Sequence, residues 1–241
     1  MMLPPRIQCI KTFVLDLLFP LSCIFCGREG SAWCAACMAA MQCIPPSCFR
    51  CGLLRPPVRS IPAGRTCRAC RRRTAVDLFF SPLSYAEPRV RTMLHALKYQ
   101  RFTALADPMA RFFYVYLKDH GTLLPPDAVL TPIPIHPERE RTRGFNQSDL
   151  IARRLAGIIG AHYHSSLLAR VLRTAPQAGL GGDARRANVR AAFALRDRDA
   201  AVGRTIILFD DIRTTGATLE EAALLLKNSG ARRVWAMTMA H

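Results

Sequence analysis

The chain has 241 residues, 50% of them hydrophobic, and its formal net charge at pH 7 is +17. This apolar content is enough for a folded core, so a wholly disordered chain is excluded. Only four of the 34 basic residues are lysines. Because arginine binds phosphate through two parallel hydrogen bonds, the charge favours polyanionic partners such as nucleic acid, phosphorylated metabolites or acidic lipid. A basic surface that reflects arginine-rich codon usage is the alternative.

The first apolar stretch runs from Phe13 to Phe25 and is interrupted by Asp16 and Pro20. It falls short of the roughly 18 uninterrupted apolar residues that a membrane span needs. It also lacks the flanks and the small-residue cleavage site of a secretory signal. We therefore expect a short buried helix here, no transmembrane segment and a cytoplasmic protein.

All ten cysteines lie in the first third of the chain, and eight of them form four Cys-x-x-Cys pairs. The pairs are Cys23/Cys26, Cys34/Cys37, Cys48/Cys51 and Cys67/Cys70. Two such pairs complete a tetrahedral shell of thiolates, so four pairs predict two structural zinc sites. A disulfide scaffold is disfavoured because cytosolic thiols are kept reduced. We prefer sequential pairing, the first pair with the second and the third with the fourth, while interleaved pairing stays open.

The zinc module is basic around its last cysteine pair. Five arginines cluster there, namely Arg65, Arg68, Arg71, Arg72 and Arg73. Such a cluster suits nucleic acid, and it suits equally a ribbon that docks onto protein or acts as a lid. After it, cysteine disappears and helical periodicity begins. We therefore place a double zinc ribbon at residues 1–74 and a second domain at residues 75–241.

Apolar spacing in the first half of the second domain predicts three helices and one buried strand, at residues 90–98, 105–118, 146–159 and 128–131 respectively. The apolar, β-branched run at 204–209 is typical of a strand buried on both faces. A helix at 219–227 and a strand at 234–239 follow it. This order of elements indicates a βαβ unit, and therefore an α/β fold with a parallel sheet flanked by helices.

The segment after the strand at 204–209 carries the candidate chemistry. Two adjacent carboxylates are followed by a loop of threonine and glycine, the residues being Asp210, Asp211, Thr214, Thr215, Gly216, Ala217 and Thr218. Such a loop between strand and helix offers hydroxyls, backbone N–H groups and the positive end of the helix dipole to a phosphate. The carboxylates repel phosphate, but they accept hydrogen bonds from vicinal hydroxyls or hold Mg²⁺. Together these features describe a site for a ribose 5-phosphate.

Residues 207–218 resemble the signature by which type I phosphoribosyltransferases bind 5-phosphoribosyl 1-pyrophosphate (PRPP), and the chain as a whole resembles the ComF family of competence proteins. The resemblance also covers the paired ribbons, Lys98-Tyr99 and the run 132–148, which contains Gly-Phe-Asn-Gln. One departure follows Lys98-Tyr99: the family usually carries a glycine there, and this sequence has Gln100-Arg101-Phe102.

The resemblance implies a type I phosphoribosyltransferase-like fold that binds PRPP with Mg²⁺. Asp210 and Asp211 would hold the ribose hydroxyls and magnesium, residues 214–218 the 5′-phosphate, and Lys98 the pyrophosphate. Further positive charge near the pyrophosphate would come from Arg139, Arg141 and Arg143, with a solvated arginine face as the alternative. A mobile loop that closes over PRPP would contain Arg173, Gln177 and Arg185.

For function, the resemblance implies a PRPP-binding protein that takes part in DNA uptake for natural transformation, with single-stranded DNA and other DNA-uptake proteins as partners. The alternative is an active phosphoribosyltransferase of nucleotide or related metabolism with no role in DNA uptake. A third hypothesis, a zinc-ribbon adaptor on a vestigial fold, is disfavoured by the complete phosphate loop. No residue is identified as a general base, and four histidines are candidates by type alone: His95, His136, His162 and His164.

Overall fold

The computed structural model describes residues 20–56, 62–171 and 192–241. The chain divides into two compact units, Met1–Met41 and Gln42–His241. The first group of four cysteines belongs to the first unit and the second group to the second unit. The two zinc ribbons therefore fall in different units, and the second ribbon shares its unit with the sheet.

The described part of the first unit is a small ribbon with one short helix, α1 (Ala35–Ala39). Its centre is Trp33, which is fully buried and meets the ring of Phe25 edge to face, with the ring centroids 6.3 Å apart. The helix expected from Phe13 lies mostly outside the described residues, and residues 20–25 are not helical. Phe25, the last residue of this apolar stretch, packs within the ribbon.

The described part of the second unit contains seven strands: β1 (Leu78–Phe80), β2 (Val129–Pro132), β3 (His162–Tyr163), β4 (Leu168–Arg170), β5 (Phe193–Leu195), β6 (Thr205–Ile212) and β7 (Arg233–Ala240). Five of them form a parallel sheet in the order β1-β7-β6-β2-β3, and β4 pairs with β5 in an antiparallel ladder. Parallel neighbours need crossover connections, which helices supply here. The predicted α/β class with a parallel sheet flanked by helices is confirmed.

The described helices of this unit are α2 (Pro88–Tyr99), α3 (Ala106–Asp119), α4 (Pro137–Arg143), α5 (Gln147–Ile159) and α6 (Ala217–Asn228), and a 3₁₀ turn at Thr103–Leu105 precedes α3. The four helices predicted from the sequence correspond to α2, α3, α5 and α6, whereas α4 is not predicted. No helix among the described residues has the length and apolar character needed to cross a membrane.

Strand β6 lies at the centre of the core. Alternate residues of a strand face opposite sides of the sheet, so β6 contributes side chains to both faces. Ile206 and Leu208 pack with the apolar residues of α6 on one side. Phe209 meets Phe113 of α3, with ring centroids 5.6 Å apart. The apolar run is therefore buried on both faces, as expected. β6 also continues to Ile212, three residues beyond the prediction, so both adjacent aspartates belong to the strand.

Candidate functional site

The connections of the sheet diverge between β2 and β6, since β2 leads toward β3 on one side and β6 leads to β7 on the other. Ligands of open parallel sheets bind outside the carboxyl ends of the strands at such a point. A cavity of about 450 Å³ opens there. Ten of the predicted site residues line it: Lys98, Arg139, Arg143, Asp210, Asp211, Thr214, Thr215, Gly216, Ala217 and Thr218.

Of the other four candidates, one lies away from the cavity and three fall outside the described residues. Arg141 is exposed on α4 and does not contribute to the lining. The residues expected in a mobile loop, Arg173, Gln177 and Arg185, lie outside the described residues. The structure therefore brings Lys98, Arg139 and Arg143 of α4 and the end of β6 together, while the loop assignment stays a prediction.

The two aspartates at the end of β6 lie in different electrostatic environments. Asp210 accepts a hydrogen bond from the Ser148 hydroxyl at 3.0 Å and another from the Asp211 N–H at 2.9 Å, both at Oδ1. Burial, together with repulsion from Asp211, nevertheless raises the pKa of Asp210 to about 7. Asp210 therefore exchanges its proton near neutral pH, and a cation or hydroxyl donor in the cavity would favour its ionised form.

Asp211 forms an ion pair with Lys98, the last-turn lysine of α2, with 2.7 Å between Nζ and Oδ2. Burial lowers the pKa of Lys98, but the attraction of Asp211, the hydrogen bond to it and the attraction of Asp210 act together in the opposite direction, and the pKa is raised above its usual value. The lysine therefore stays protonated beside the acidic pair. This arrangement places one fixed positive charge in the cavity, next to the carboxylates.

The loop between β6 and α6 has the form that the sequence predicts for a phosphate site. Gly216 is the N-cap of α6 and adopts φ +78°, a left-handed conformation that glycine takes without steric cost. The Thr215 hydroxyl accepts from the Ala217 N–H at 3.3 Å, and both Thr214 and Thr215 line the cavity. Hydroxyls and the N-terminus of a 12-residue helix thus open onto the cavity together.

Arg213, which precedes this loop, also turns toward the second ribbon. Its guanidinium lies 4.9 Å from the ring centroid of Phe49 and 5.0 Å from that of Phe79. Its Nη2 donates to the Phe49 carbonyl oxygen at 2.5 Å. Burial lowers the pKa of this arginine. Its charge is therefore engaged by two aromatic rings and a carbonyl of the ribbon.

The cavity residues that the sequence did not single out as site residues include Tyr99, Gln147, Ser148 and Arg170. Gln147 is 1% exposed, and its Oε1 accepts from Arg143 Nη1 at 3.2 Å. A guanidinium only donates, so this contact fixes the amide orientation and leaves Nε2 as a donor. Nε2 has no hydrogen-bond partner in the described structure. The sequence feature that could have identified Gln147 and Ser148 as site residues is their position at the start of α5, directly after the cap residue Asn146.

The departure from the family pattern after Tyr99 is accommodated by the backbone. Arg101 adopts φ +54°, and it is the one described residue other than glycine with a positive φ. Its guanidinium donates to the Thr142 carbonyl at 2.9 Å. The conformation that glycine favours is therefore present without a glycine, held by a contact to the last turn of α4.

None of the four candidate histidines lines the cavity. His136 caps α4 by accepting from the Glu138 N–H at 3.3 Å. His164 pairs with Asp197 at 3.1 Å. His95 packs on the Tyr99 ring, with centroids 4.6 Å apart. Among the described residues, the group with a pKa near neutrality inside the cavity is Asp210, not a histidine.

The eight paired cysteines form two clusters, each with its four sulfurs within 4.8 Å of one another. One cluster is Cys23, Cys26, Cys34 and Cys37, and the other is Cys48, Cys51, Cys67 and Cys70. The sequential pairing is therefore the one the structure forms, and the described cysteines are free of disulfides.

The spacing of the sulfurs fits zinc. A Zn–S bond of about 2.3 Å in a tetrahedron puts neighbouring sulfurs about 3.8 Å apart. Cys26 and Cys34 are 3.6 Å apart, and Cys51 and Cys67 are 3.9 Å apart. Backbone N–H groups donate to two further sulfurs, Cys34 N to Cys23 and Cys67 N to Cys48, each at 3.5 Å. Donors of this kind stabilise thiolates and orient metal ligands.

Comparison with known protein families supports the description of the cysteine clusters. A family model described as "Double zinc ribbon domain" matches residues 14–74. Two structural zinc sites with four cysteine ligands each are thus supported by the geometry and by the family match. A solved structure described as "structure of the allosteric regulatory enzyme of purine biosynthesis" is 18% identical, with a TM-score of 0.36 over 56% of this chain and 26% of that one. At that score the resemblance adds no argument, and the chain spans about a quarter of the solved one.

Curated relatives cover most of the chain. It is 32% identical to "DNA utilization protein YhgH" of Salmonella typhi over 212 residues, 85% of this chain and 88% of that protein. It is 30% identical to the protein of the same name from Escherichia coli (strain K12) over 213 residues. It is 31% identical to "Competence protein F" of Haemophilus influenzae over 163 residues, 65% of this chain and 70% of that protein. The chain belongs to the ComF family, with a double zinc ribbon and an α/β domain built on a parallel sheet.

Proposed function

We propose that this protein binds PRPP with Mg²⁺ in the cavity at the end of β6 and that it takes part in DNA uptake. The observation that supports this ligand is that three kinds of binding group line one cavity. An acidic pair, a lysine paired with it and a threonine-glycine loop at a helix N-terminus all line the same space of about 450 Å³. A phosphorylated sugar with free hydroxyls needs each of them.

The roles within this proposal follow from the charges. Thr214–Thr218 would bind the 5′-phosphate, and Asp210 and Asp211 the ribose hydroxyls. Lys98, Arg139 and Arg143 would offset the charge of the pyrophosphate. Carboxylate oxygens are suitable donors for Mg²⁺, which would supply further neutralisation of the pyrophosphate when bound. The unpartnered Nε2 of Gln147 offers one more donor, which a ligand oxygen would satisfy.

The biological role rests on the relatives, whose printed names refer to DNA utilization and competence. The surface supports a contact with single-stranded DNA, because four arginines beside the second cluster are exposed: Arg68, Arg71, Arg72 and Arg73. We place the protein in the cytoplasm, where eight cysteine thiolates stay reduced. We also propose residues 1–74 as the double ribbon and residues 75–241 as the ligand-binding domain.

A second candidate function is transfer of the phosphoribosyl group to an acceptor. In that reaction the bond from C1 to the pyrophosphate oxygen breaks, and a lone pair of the acceptor forms the new bond to C1. The acceptor's proton passes to a base, and pyrophosphate leaves. Lys98 favours this candidate, because a protonated lysine in the cavity would offset the charge that develops on the leaving pyrophosphate.

Calorimetry on the full chain tests the ligand. Wild-type protein should bind PRPP in the presence of Mg²⁺, and the Asp210→Ala/Asp211→Ala double variant should lose measurable binding. Asp107→Ala is the matched control, since Asp107 lies on α3 in an exposed pair with Arg111. Equal affinity in the double variant and the wild type would remove the site.

Two further measurements separate the roles. Pyrophosphate release, screened across nucleobases with and without single-stranded DNA, distinguishes an enzyme from a binding protein. Fluorescence anisotropy with single-stranded DNA should give an affinity that falls as the salt concentration rises. The slope of log affinity against log salt concentration should be smaller when Arg71, Arg72 and Arg73 are replaced by glutamine. If the DNA affinity and its salt dependence are unchanged by these replacements, this surface is not the DNA contact.

A further inference from the structure

The phosphate loop is backed by the second cysteine cluster, the one formed by Cys48, Cys51, Cys67 and Cys70. Phe49 follows the ligand Cys48, is 3% exposed and belongs to the hydrophobic core of the sheet. A Cβ atom on Gly216 would lie 2.8 Å from the Cζ atom of Phe49. This is closer than heavy atoms approach each other, so the ring occupies the space that any other residue at 216 would need. The loop and the ribbon are therefore in direct contact at the N-cap of α6.

Arg213 joins the same two elements from the other end of the loop. Its guanidinium contacts the rings of Phe49 and Phe79 and donates to the Phe49 carbonyl oxygen at 2.5 Å. The two rings meet edge to face, with centroids 5.5 Å apart. Arg213 N also donates to the Ala240 carbonyl at 2.9 Å, which ties the start of the loop to β7. Arg213, which precedes Thr214 and Thr215, is thus held by its side chain at the ribbon and by its backbone at β7.

A third attachment fixes the first turn of α6. Glu220 accepts from the Thr74 hydroxyl at 2.5 Å and from the Ala75 N–H at 2.8 Å. These two residues follow the last cysteine pair of the ribbon. Residues within the second ribbon and just after it therefore hold the loop and its helix between them.

We propose that the second cysteine cluster, acting through Phe49 and Arg213, holds the loop Thr214–Thr218 in the conformation that binds phosphate. Phosphate affinity then depends on the second cluster and not on the first. The inference rests on the function proposed above, in that this loop is the phosphate site. Phe49 is a positioning residue, since it contacts the loop at Gly216 and does not line the cavity.

The physical reason is that a phosphate site of this kind works only when its donors converge. Hydroxyls and N–H groups of the loop must point to one place, and a displacement of about 1 Å at a binding or reacting centre can cost about 100-fold. Cys48 is fully buried, and its N–H and carbonyl are both bonded within the turn, to Leu53 and Gly52. A metal bound to Cys48 therefore fixes the backbone that carries Phe49.

Hydrogen–deuterium exchange on the full chain tests this without a ligand. Cys51→Ser and Cys26→Ser form a matched pair, because each removes one exposed sulfur, from the second and the first cluster respectively. Phe49→Leu and Phe25→Leu form a second pair that leaves all ligands in place. We expect amides of residues 213–219 to exchange about tenfold faster in Cys51→Ser and Phe49→Leu, and at the wild-type rate in the two partners.

Exchange of the β7 amides separates positioning from general destabilisation. Because β7 is buried within the sheet, its rates should stay within twofold of wild type in Phe49→Leu. PRPP affinity measured with Mg²⁺ should fall about tenfold in the same variant. If Cys51→Ser fails to fold, Phe49→Leu decides the question.

Two results would overturn the proposal: equal loop exchange in Phe49→Leu and Phe25→Leu, or faster exchange spread evenly over the sheet. If the wild-type protein binds no PRPP, the proposed function is ruled out instead. Faster loop exchange in Phe49→Leu would still support positioning of the loop by the ribbon in that case. The two failures are therefore distinguishable.

Discussion

The two cysteine clusters share their ligand set and their sulfur spacing, but they differ in what lies next to them. In the first, the aromatic residue Phe25 packs on Trp33 inside its own small unit. In the second, Phe49 belongs to the same core as Phe79 and the apolar residues of β6 and α6. Metal sites of the same chemistry thus have different surroundings: one lies within a local ribbon, and the other lies against the core of the sheet.

The lengths of the two ribbons explain part of this difference. Seven residues separate the cysteine pairs in the first ribbon and fifteen in the second. The longer arm reaches β1, where Phe79 N donates to the Gly64 carbonyl at 2.9 Å. A Cβ atom on Gly64 would lie 2.3 Å from the Phe79 carbonyl oxygen, so the approach requires glycine. The additional residues therefore attach the second ribbon to the edge of the sheet.

The largest contrast is expected when one buried ligand is removed from each cluster. Cys48→Ala should lower the melting temperature of the second unit by more than about 10 °C, because a structural zinc contributes about 10–16 kcal/mol to folding. Cys34→Ala should leave that transition in place. The fluorescence of Trp235 reports unfolding of the second unit if Trp33→Phe is present in every variant. The zinc content per chain should fall from two ions to one in each case. A second unit that melts equally in both variants would contradict the comparison.

Glycines with similar backbone angles give the next contrast. Gly216 and Gly27 have φ of +78° and +72°, but nothing lies within 4 Å of a Cβ at Gly27. Gly27→Ala should cost only the left-handed strain of about 1–2 kcal/mol. Gly216→Ala should cost about 2–4 kcal/mol, because its methyl group also meets Phe49. Urea unfolding of each unit measures both.

A double variant tests the cause of the Gly216→Ala penalty. Phe49→Leu shortens the side chain that the new methyl group meets, so adding it to Gly216→Ala should recover part of the loss. Strictly additive costs would indicate that the two residues do not interact.

Much of the fold was predictable because its signals are local. The cysteine spacing predicts the zinc sites, and the apolar run predicts a buried strand. The end of that strand was predicted too early, since aspartate favours turns, but pairing of Asp210 with Thr238 of β7 extends β6 to Ile212. Neighbouring strands, which the chain supplies later, decided the boundary.

The site was predictable only where its parts are close in sequence. The acidic pair and the threonine loop follow one another, and a pattern reveals them. The contact between Arg213 and Phe49 joins residues 164 positions apart, and no local periodicity indicates it. The orientation of Gln147 likewise depends on Arg143 and on the cavity. Packing of distant segments therefore supplied what the sequence pattern lacked.

A smaller effect is expected at the attachment of the ribbon to α6. Glu220→Gln keeps the shape of the side chain but weakens its bonds to Thr74 and Ala75, at a cost of about 1 kcal/mol. Asp107→Asn, which breaks an exposed pair with Arg111, should cost at most a few tenths of a kcal/mol. Chemical denaturation compares the two. Equal costs would show that the attachment of the ribbon to α6 adds nothing to stability.

The smallest effect is expected at the acidic pair, Asp210 and Asp211, and it should appear in the pH dependence of PRPP binding. The carboxyl of Asp210 ionises near pH 3.9 in the unfolded chain, whereas burial and Asp211 raise its pKa to about 7 in the fold. Its protonated form therefore contributes stability that is fully present below pH 4 and is lost as the pH rises through 7. Ligand hydroxyls need the ionised form, so PRPP affinity should increase as the pH rises through 7.

Ser148→Ala removes the hydroxyl that donates to Asp210 and favours its charge. The pKa should rise further, and the midpoint of the affinity profile should move upward by about half a pH unit to one unit. Calorimetry between about pH 6 and 8.5 measures the shift, and exchange of the phosphate-loop amides should stay at the wild-type rate. A midpoint that stays or moves to lower pH would show that Ser148 does not stabilise the charge. If Phe49→Leu instead lowers affinity equally at every pH, the acidic pair and the ribbon act on binding by separate means.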